Sequence, residues 1–218
     1  MKKNNVYILH SIAQTISTCL GFELAKQIKC SMIIGSQTMF FSAGSMVAPL
    51  FGNNPRTLWV FGLFIALKAI FMSYFMTQPI NLLLLYHIPL FIAAAFFAPR
   101  SKWLITAFFI ATMGAFIFNP IGGQAWIYAL LWIIPMLANL FFTGLFVRAL
   151  RSTFAAHAIG SLIHLYTMPM AAGLWISIIP VVLVERLLFA CGIMIVYYAI
   201  QWVTKRIANL NLVGSYQS

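Results

Sequence analysis

Few side chains in this sequence can do chemistry. Lys68, His87, His157, His164 and the adjacent pair Glu185 and Arg186 sit inside long apolar stretches. An ionisable group in such surroundings costs about 3 kcal/mol on membrane-insertion scales, so each needs a reason to be there. Lys68 can be read as a long side chain snorkelling to an interface. His157 and His164 are seven residues apart, about two helical turns, which puts both rings on one face. They are then roughly 10 Å apart along the axis, too far to share a metal ion. The pair suits a polar cavity lining, or two histidines bonded to neighbouring helices. Glu185 is the only acid after Glu23. Adjacent helix residues point about 100° apart, so Arg186 is not its expected partner. Depth counted from a turn at 168–173 puts Glu185 between His164 and His157, where it could pair. Alternatively, Pro180 ends a short outer helix and leaves Glu185 and Arg186 near the outer interface.

The richest non-helical feature is Asn119-Pro120-Ile121-Gly122-Gly123-Gln124, followed by Trp126 and Tyr128. Two glycines let backbone approach a ligand, two amides offer neutral donors and acceptors, and the aromatics offer flat faces. The other reading is a turn with an interfacial aromatic belt. The expected site is one outward-facing cavity lined by Asn119, Gln124, Trp126, His157, His164 and Glu185. Glu185 carries the charge there and Trp126 stacks on the bound molecule. An apolar wall with a few convergent polar groups is what a ligand site needs.

The inventory excludes several enzyme classes. Aspartate is absent, which removes aspartyl chemistry and Asp-rich sites for prenyl diphosphates. No paired acids exist for a di-glutamate intramembrane protease, and no GxSxG elbow is present. Cys19, Cys30 and Cys191 show no ligand spacing and read as small buried apolar residues. No catalysis, cofactor or metal is expected. The rival reading is a membrane-embedded enzyme or haem-binding redox protein using His87, His157 and His164, and a third is a structural subunit of a membrane complex.

These residues are positioned by elements that composition already describes. The chain has 218 residues, 63% hydrophobic and only 7% charged, whereas a soluble domain is about a quarter charged. The expected fold class is all-α: a polytopic transmembrane helical bundle of six to eight spans, with residues 1–218 as a single transmembrane domain. Candidate spans are 6–25, 36–51, 57–76, 80–98, 103–118, 125–147, 153–172 and 174–202. The N-terminal stretch is read as a retained first helix, because Asn4, Asn5, His10, Gln14 and Thr15 make it too polar for a signal peptide. Segment 36–51, with Gly35, Gly44, Pro49 and Gly52, is either a short span or re-entrant.

The thirteen Lys and Arg are scattered, which points to orientation in a bilayer rather than to nucleic acid. Arg56, Arg100 with Lys102, Arg148 with Arg151, and Lys205 with Arg206 mark the cytoplasmic side. The uncharged connections 77–79, 119–124 and 168–170 face outward, so 57–202 reads as three hairpins. Lys26 and Lys29 fit this less well. The expected location is the bacterial inner (plasma) membrane, with the N- and C-termini cytoplasmic.

Ala13, Ser17 and Gly21 form a small-xxx-small stripe, a surface for close helix packing. The stretch Ile34-Gly35-Ser36-Gln37-Thr38-Met39, running into Ala43-Gly44 and Pro49-Leu50-Phe51-Gly52, resembles a segment of the vitamin-binding S components of energy-coupling-factor transporters, the biotin-type ones nearest. In that family a Gln-Thr pair opens a short helix, and a small-residue stripe docks the coupling subunit. The resemblance covers about the first fifty residues. The family has six spans, and His157, His164 and Glu185-Arg186 lie outside its motifs. The resemblance implies an integral membrane substrate-binding or permease protein for a small, vitamin-like molecule, in the lipid bilayer and with a coupling subunit and ATPase as partners.

Overall fold

The computed structural model describes residues 2–34, 37–77, 80–168 and 170–214. The connections at 78–79 and Pro169, and Gly35-Ser36 of the S-component-like stretch, lie outside the described residues. So do the side chains of the N-terminal lysines and of His10, Gln37 and Thr38.

The architecture is helical with one small hairpin. Helix α1 (Lys2–Gln27) leads into antiparallel strands β1 (Lys29–Ile34) and β2 (Gln37–Ser42), registered with Lys29 opposite Ser42 and Ile34 opposite Gln37. A short helix α2 (Gly44–Val47) and a 3-10 stretch (Ala48–Asn53) follow. Segment 36–51 is therefore not a helical span. Its polar start extends a hairpin, and Pro49 and Gly52 favour tight turns over a long helix. The Gln37-Thr38 pair opens a strand, not a short helix. The rest is α3 (Pro55–Phe75), α4 (Ile80–Phe97), α5 (Lys102–Ile117), α6 (Pro120–Gln124), α7 (Trp126–Ala129), a 3-10 turn (Leu130–Trp132), α8 (Ile133–Phe141), α9 (Leu145–Thr167), α10 (Ala172–Ser177) and α11 (Ile179–Gly214).

Local chemistry starts these helices where the chain supplies caps. Asn54 accepts from Arg56 N at 2.9 Å with Pro55 in the first turn, Ser101 accepts from Leu104 N at 3.2 Å, and Asn119 accepts from Ile121 N at 2.9 Å. Two expected spans are divided. Segment 125–147 is cut into α7, a 3-10 turn and α8, with its last residues beginning α9. Segment 174–202 is cut at Ile178, with Pro180 in the first turn of α11.

Helix α9 is the centre, packed against α4, α5, α8 and α11. Its first half is buried from Ala149 to Ala155. Helix α1 lies on α11: Ala13 is buried, and a Cβ on Gly21 would meet Ile200 and Val47 at 3.9 Å. The small-residue stripe thus faces the chain's own core, while Ile12, Ile16, Leu20 and Leu24 point out.

Among the described residues, two helices are long and apolar enough to cross a membrane, Pro55–Phe75 and Ile179–Arg206. The outer surface is apolar to match: Trp59, Leu63, Leu67 and Ile70 on α3 are all exposed. So is Cys191, which sits on the apolar outside of α11 rather than in the core. An uninterrupted apolar face of this extent is poorly tolerated by water.

The helix ends sort into two sets. At one end, Arg148 reaches Phe97 O and Asn53, Arg151 reaches Phe96 O and Ala98 O, and Lys102 reaches Leu140 O. At the other, Tyr166 donates to Ala115 O, and Gly122 lies against Phe116 and Leu165. The basic connections of this hairpin series share one end and the 119–124 loop lies at the other.

Candidate functional site

A cavity of about 860 Å³ opens between α3, α4, α7, α9 and α11. Its polar wall is built by α9. His157, Ser161 and His164 recur at helical spacing along the face that meets the cavity. Tyr128 comes from α7 and is fully buried; its hydroxyl lies 2.7 Å from His157 Nε2 and 3.0 Å from Ser161 Oγ. His164 turns its Nδ1 back to Gly160 O at 2.9 Å. That contact leaves Nε2 as the other polar atom of the ring.

Glu185 and Arg186 close the floor. Both are buried, and Glu185 Oε2 lies 2.6 Å from Arg186 Nη2. The expectation that neighbours on a helix would not pair is corrected, with an instructive detail. Neither Glu185 Oε2 nor Arg186 Nε has an aligned hydrogen bond among the described residues. The two side chains approach as charges, while their divergent helix directions spoil the hydrogen-bond angle. Arg186 Nη1 also donates to Thr153 Oγ1 at 3.1 Å and Thr153 O at 3.3 Å, and the guanidinium lies 4.7 Å from the Phe189 ring centroid. This fixes the depth of the pair: it lies toward Thr153, not between the two histidines.

Behind Tyr128 stands an aromatic block. Phe116 stacks on Tyr128 with centroids 5.3 Å apart, and Trp175 meets Tyr128 edge-on at 5.0 Å. Trp132 completes the group at 5.6 Å from Phe116. Trp175 lines the cavity, and its buried Nε1 donates to nothing among the described residues. On the opposite wall Lys68 of α3 and His87 of α4 reach the cavity, as does Lys26 of α1, which is paired with Glu23. Lys68 has no ion pair among the described residues.

His157, His164 and Glu185 thus line one cavity. Asn119, Gln124 and Trp126 do not line it. Asn119 is spent as the cap of α6, Gln124 is exposed, and Trp126 is 50% exposed. The glycines of this loop approach the chain itself, since a Cβ on Gly122 would strike the Phe116 carbonyl. Tyr128, two residues after Trp126, is the aromatic that turns inward. About 200° separates i and i+2 on a helix, so only one of the two could face the core. Ser161, four residues after His157, was legible by the same periodicity. Thr153, four residues before His157, was legible in the same way, while Trp175 carried no such signal.

Among the described residues, no three His, Cys, Asp or Glu side chains are grouped to hold a metal ion. No protein-family model, curated protein or solved structure matches this chain.

Proposed function

We propose that this chain is a membrane-embedded binding protein or permease for a small amphipathic molecule, held in the α9-centred cavity and moved with the help of a partner energising module. The six-to-eight-span bundle, the bacterial inner membrane and the cytoplasmic termini belong to this same reading. The observation that carries it is the cavity itself. A volume of about 860 Å³ falls in the range of small-molecule pockets. Its walls are mostly apolar, and polar groups converge on it from separate helices, among them Tyr128, His157, Ser161, Glu185, Arg186 and the free Trp175 indole N–H.

These groups suit a ligand with an apolar body and hydrogen-bonding ends. Trp175 donates to a ligand acceptor. The Tyr128 and Ser161 hydroxyls and the His157 ring can each donate or accept, so the cluster serves either polarity of hydrogen bond. Lys68 adds a positive charge at the far wall, which favours a ligand that is polar or anionic at that end. The apolar exterior suits a bilayer, and the resemblance of the first fifty residues to vitamin-binding S components supports uptake as the task.

The decisive experiment is mass spectrometry of molecules that co-purify with the wild type and with Glu185→Gln. The substitution keeps shape and removes charge. A small molecule retained by wild type and reduced at least about tenfold in the variant at equal expression supports the reading, the size expected when a charged hydrogen bond is lost. Equal retention by both, or a variant that only unfolds more readily, makes the Glu185–Arg186 pair purely structural.

A further inference from the structure

At the opposite end of α9 lies a second, smaller pocket of about 250 Å³, lined by Arg100, Lys102, Asn139, Gly144, Arg148 and Arg151 among others. Four cations meet there and no carboxylate lines it. None can be recruited from the side chains of this chain either. Its two acids are both engaged elsewhere, Glu23 with Lys26 and Glu185 with Arg186.

Part of this positive charge has an evident structural use. Arg151, only 6% exposed, donates from Nε to Phe96 O and from Nη2 to Ala98 O, both at 2.7 Å, and Arg148 Nε donates to Phe97 O at 3.1 Å. They close the C-terminus of α4. Lys102 Nζ donates to Leu140 O at 2.7 Å near the end of α8. A helix C-terminus is worth roughly half a negative charge. Two of them offset about one of the four cations, and the N-terminus of α9 adds about half a positive charge back. A surplus of about three and a half positive charges remains around one small pocket.

Two further features point inward. Gly144, at φ 120°, begins α9 with no side chain to cap it, and nothing lies within 4 Å of where its Cβ would be. That backbone conformation favours glycine, and the space beside the helix start is open. Asn139 is 4% exposed. Its Oδ1 accepts from Arg151 Nη1 at 2.9 Å, which fixes the amide orientation, and its Nδ2 donates to nothing among the described residues. A buried donor without an acceptor is costly. An uncapped helix start, a surplus of cations and an orphaned amide donor share one need, an anion rich in acceptor oxygens.

We propose that this pocket binds a phosphate group, either the headgroup of an anionic phospholipid or a soluble phosphate. Arg100 and Lys102, at the exposed rim, supply charge. Arg148 and Arg151 supply the guanidinium donors left over from capping α4, and Asn139 Nδ2 and the start of α9 supply neutral donors. The site is independent of the large cavity.

The test is thermal unfolding and native mass spectrometry of purified full-length protein with phosphatidylglycerol or phosphatidylcholine, and separately with inorganic phosphate. Two variants are compared with wild type. Asn139→Asp replaces the orphan donor by an acid, and Arg100→Gln with Lys102→Gln strips the exposed rim, giving up the bonds of these two side chains to Ala95 O and Leu140 O but leaving the Arg148 and Arg151 contacts at the end of α4 in place. Phosphatidylglycerol but not phosphatidylcholine should stabilise and remain bound to wild type, with apparent affinity at least about tenfold weaker in each variant and falling as salt rises. Stabilisation by inorganic phosphate alone, lost in the variants, supports the same site with a soluble ligand. No response to either anion, or an equal response in wild type and both folded variants, overturns the proposal.

Discussion

Two neighbouring stretches of α9 handle buried charge in different ways. Near its middle, where the cavity begins, the charge on Arg186 of the neighbouring helix is met by a carboxylate, Glu185, with Thr153 of α9 assisting. Toward its N-terminus, Arg148 and Arg151 are met by backbone carbonyls of α4 and by two neutral amides, Asn53 and Asn139. An ion pair can be deleted as a unit. A carbonyl at a helix end cannot be deleted, and it stays unsatisfied when its donor is lost. One helix therefore presents a balanced, replaceable polar site near its middle and an unbalanced, fixed one at its N-terminal end.

The largest effect that would break this contrast is expected at Arg186. Arg186→Met leaves Glu185 buried without its counter-charge and should cost about 3–5 kcal/mol in denaturant or thermal unfolding. The double change Glu185→Leu with Arg186→Met should return most of that stability, because an apolar pair replaces the ionic one. A double variant as unstable as the single one would show that the pair is not the autonomous unit described.

Next in size is Arg151→Met, expected to cost about 2–4 kcal/mol as three hydrogen bonds from a charged donor are lost. Here no second substitution should help, since adding Asn139→Leu leaves the Phe96 and Ala98 carbonyls still unsatisfied. Full rescue by that second change would erase the difference between the two stretches.

Tyr128→Phe sharpens the cavity side. The ring block with Phe116 and Trp175 is kept and only the hydroxyl goes, so stability should fall by about 1–2 kcal/mol. Retention of a co-purified molecule should fall further than that loss explains if the hydroxyl orients His157 toward it. The smallest effect belongs to Trp126→Ala. Exposed and outside the cavity wall, it should change unfolding by no more than about 0.5 kcal/mol and leave retention unchanged. A large loss of retention there would return Trp126 to the site.

How much of this could be read from the chain depends on the range of the interaction involved. Helices α3, α4 and α5 begin and end within a few residues of expectation, because apolar run length, Pro55, Ser101 and the basic residues beyond them act locally. The grouping of His157 with His164 was legible for the same reason: two turns of one helix place them on a face whatever surrounds it. The 125–147 stretch was misread as one helix, although Pro135 is tolerated within α8, because the chain bends where Tyr128 and Trp132 must reach Phe116. The loop 119–124 was misread as a ligand-facing feature. Its glycines answer backbone contacts with Phe116 and Ile117 that no local pattern announces.

The sequence by itself determined an apolar, basic, mostly helical chain with two acids, a few ionisable groups at depth and helix starts at its caps. These follow from composition and from interactions spanning four residues or fewer. Only the tertiary structure decided that Tyr128 rather than Trp126 faces inward, that Glu185 meets Arg186, and that Arg148 and Arg151 close the end of α4 beside an unfilled amide donor. Each of these joins residues on different helices, or selects one rotamer among several. The free energy that makes the choice comes from burying groups against partners tens of residues away.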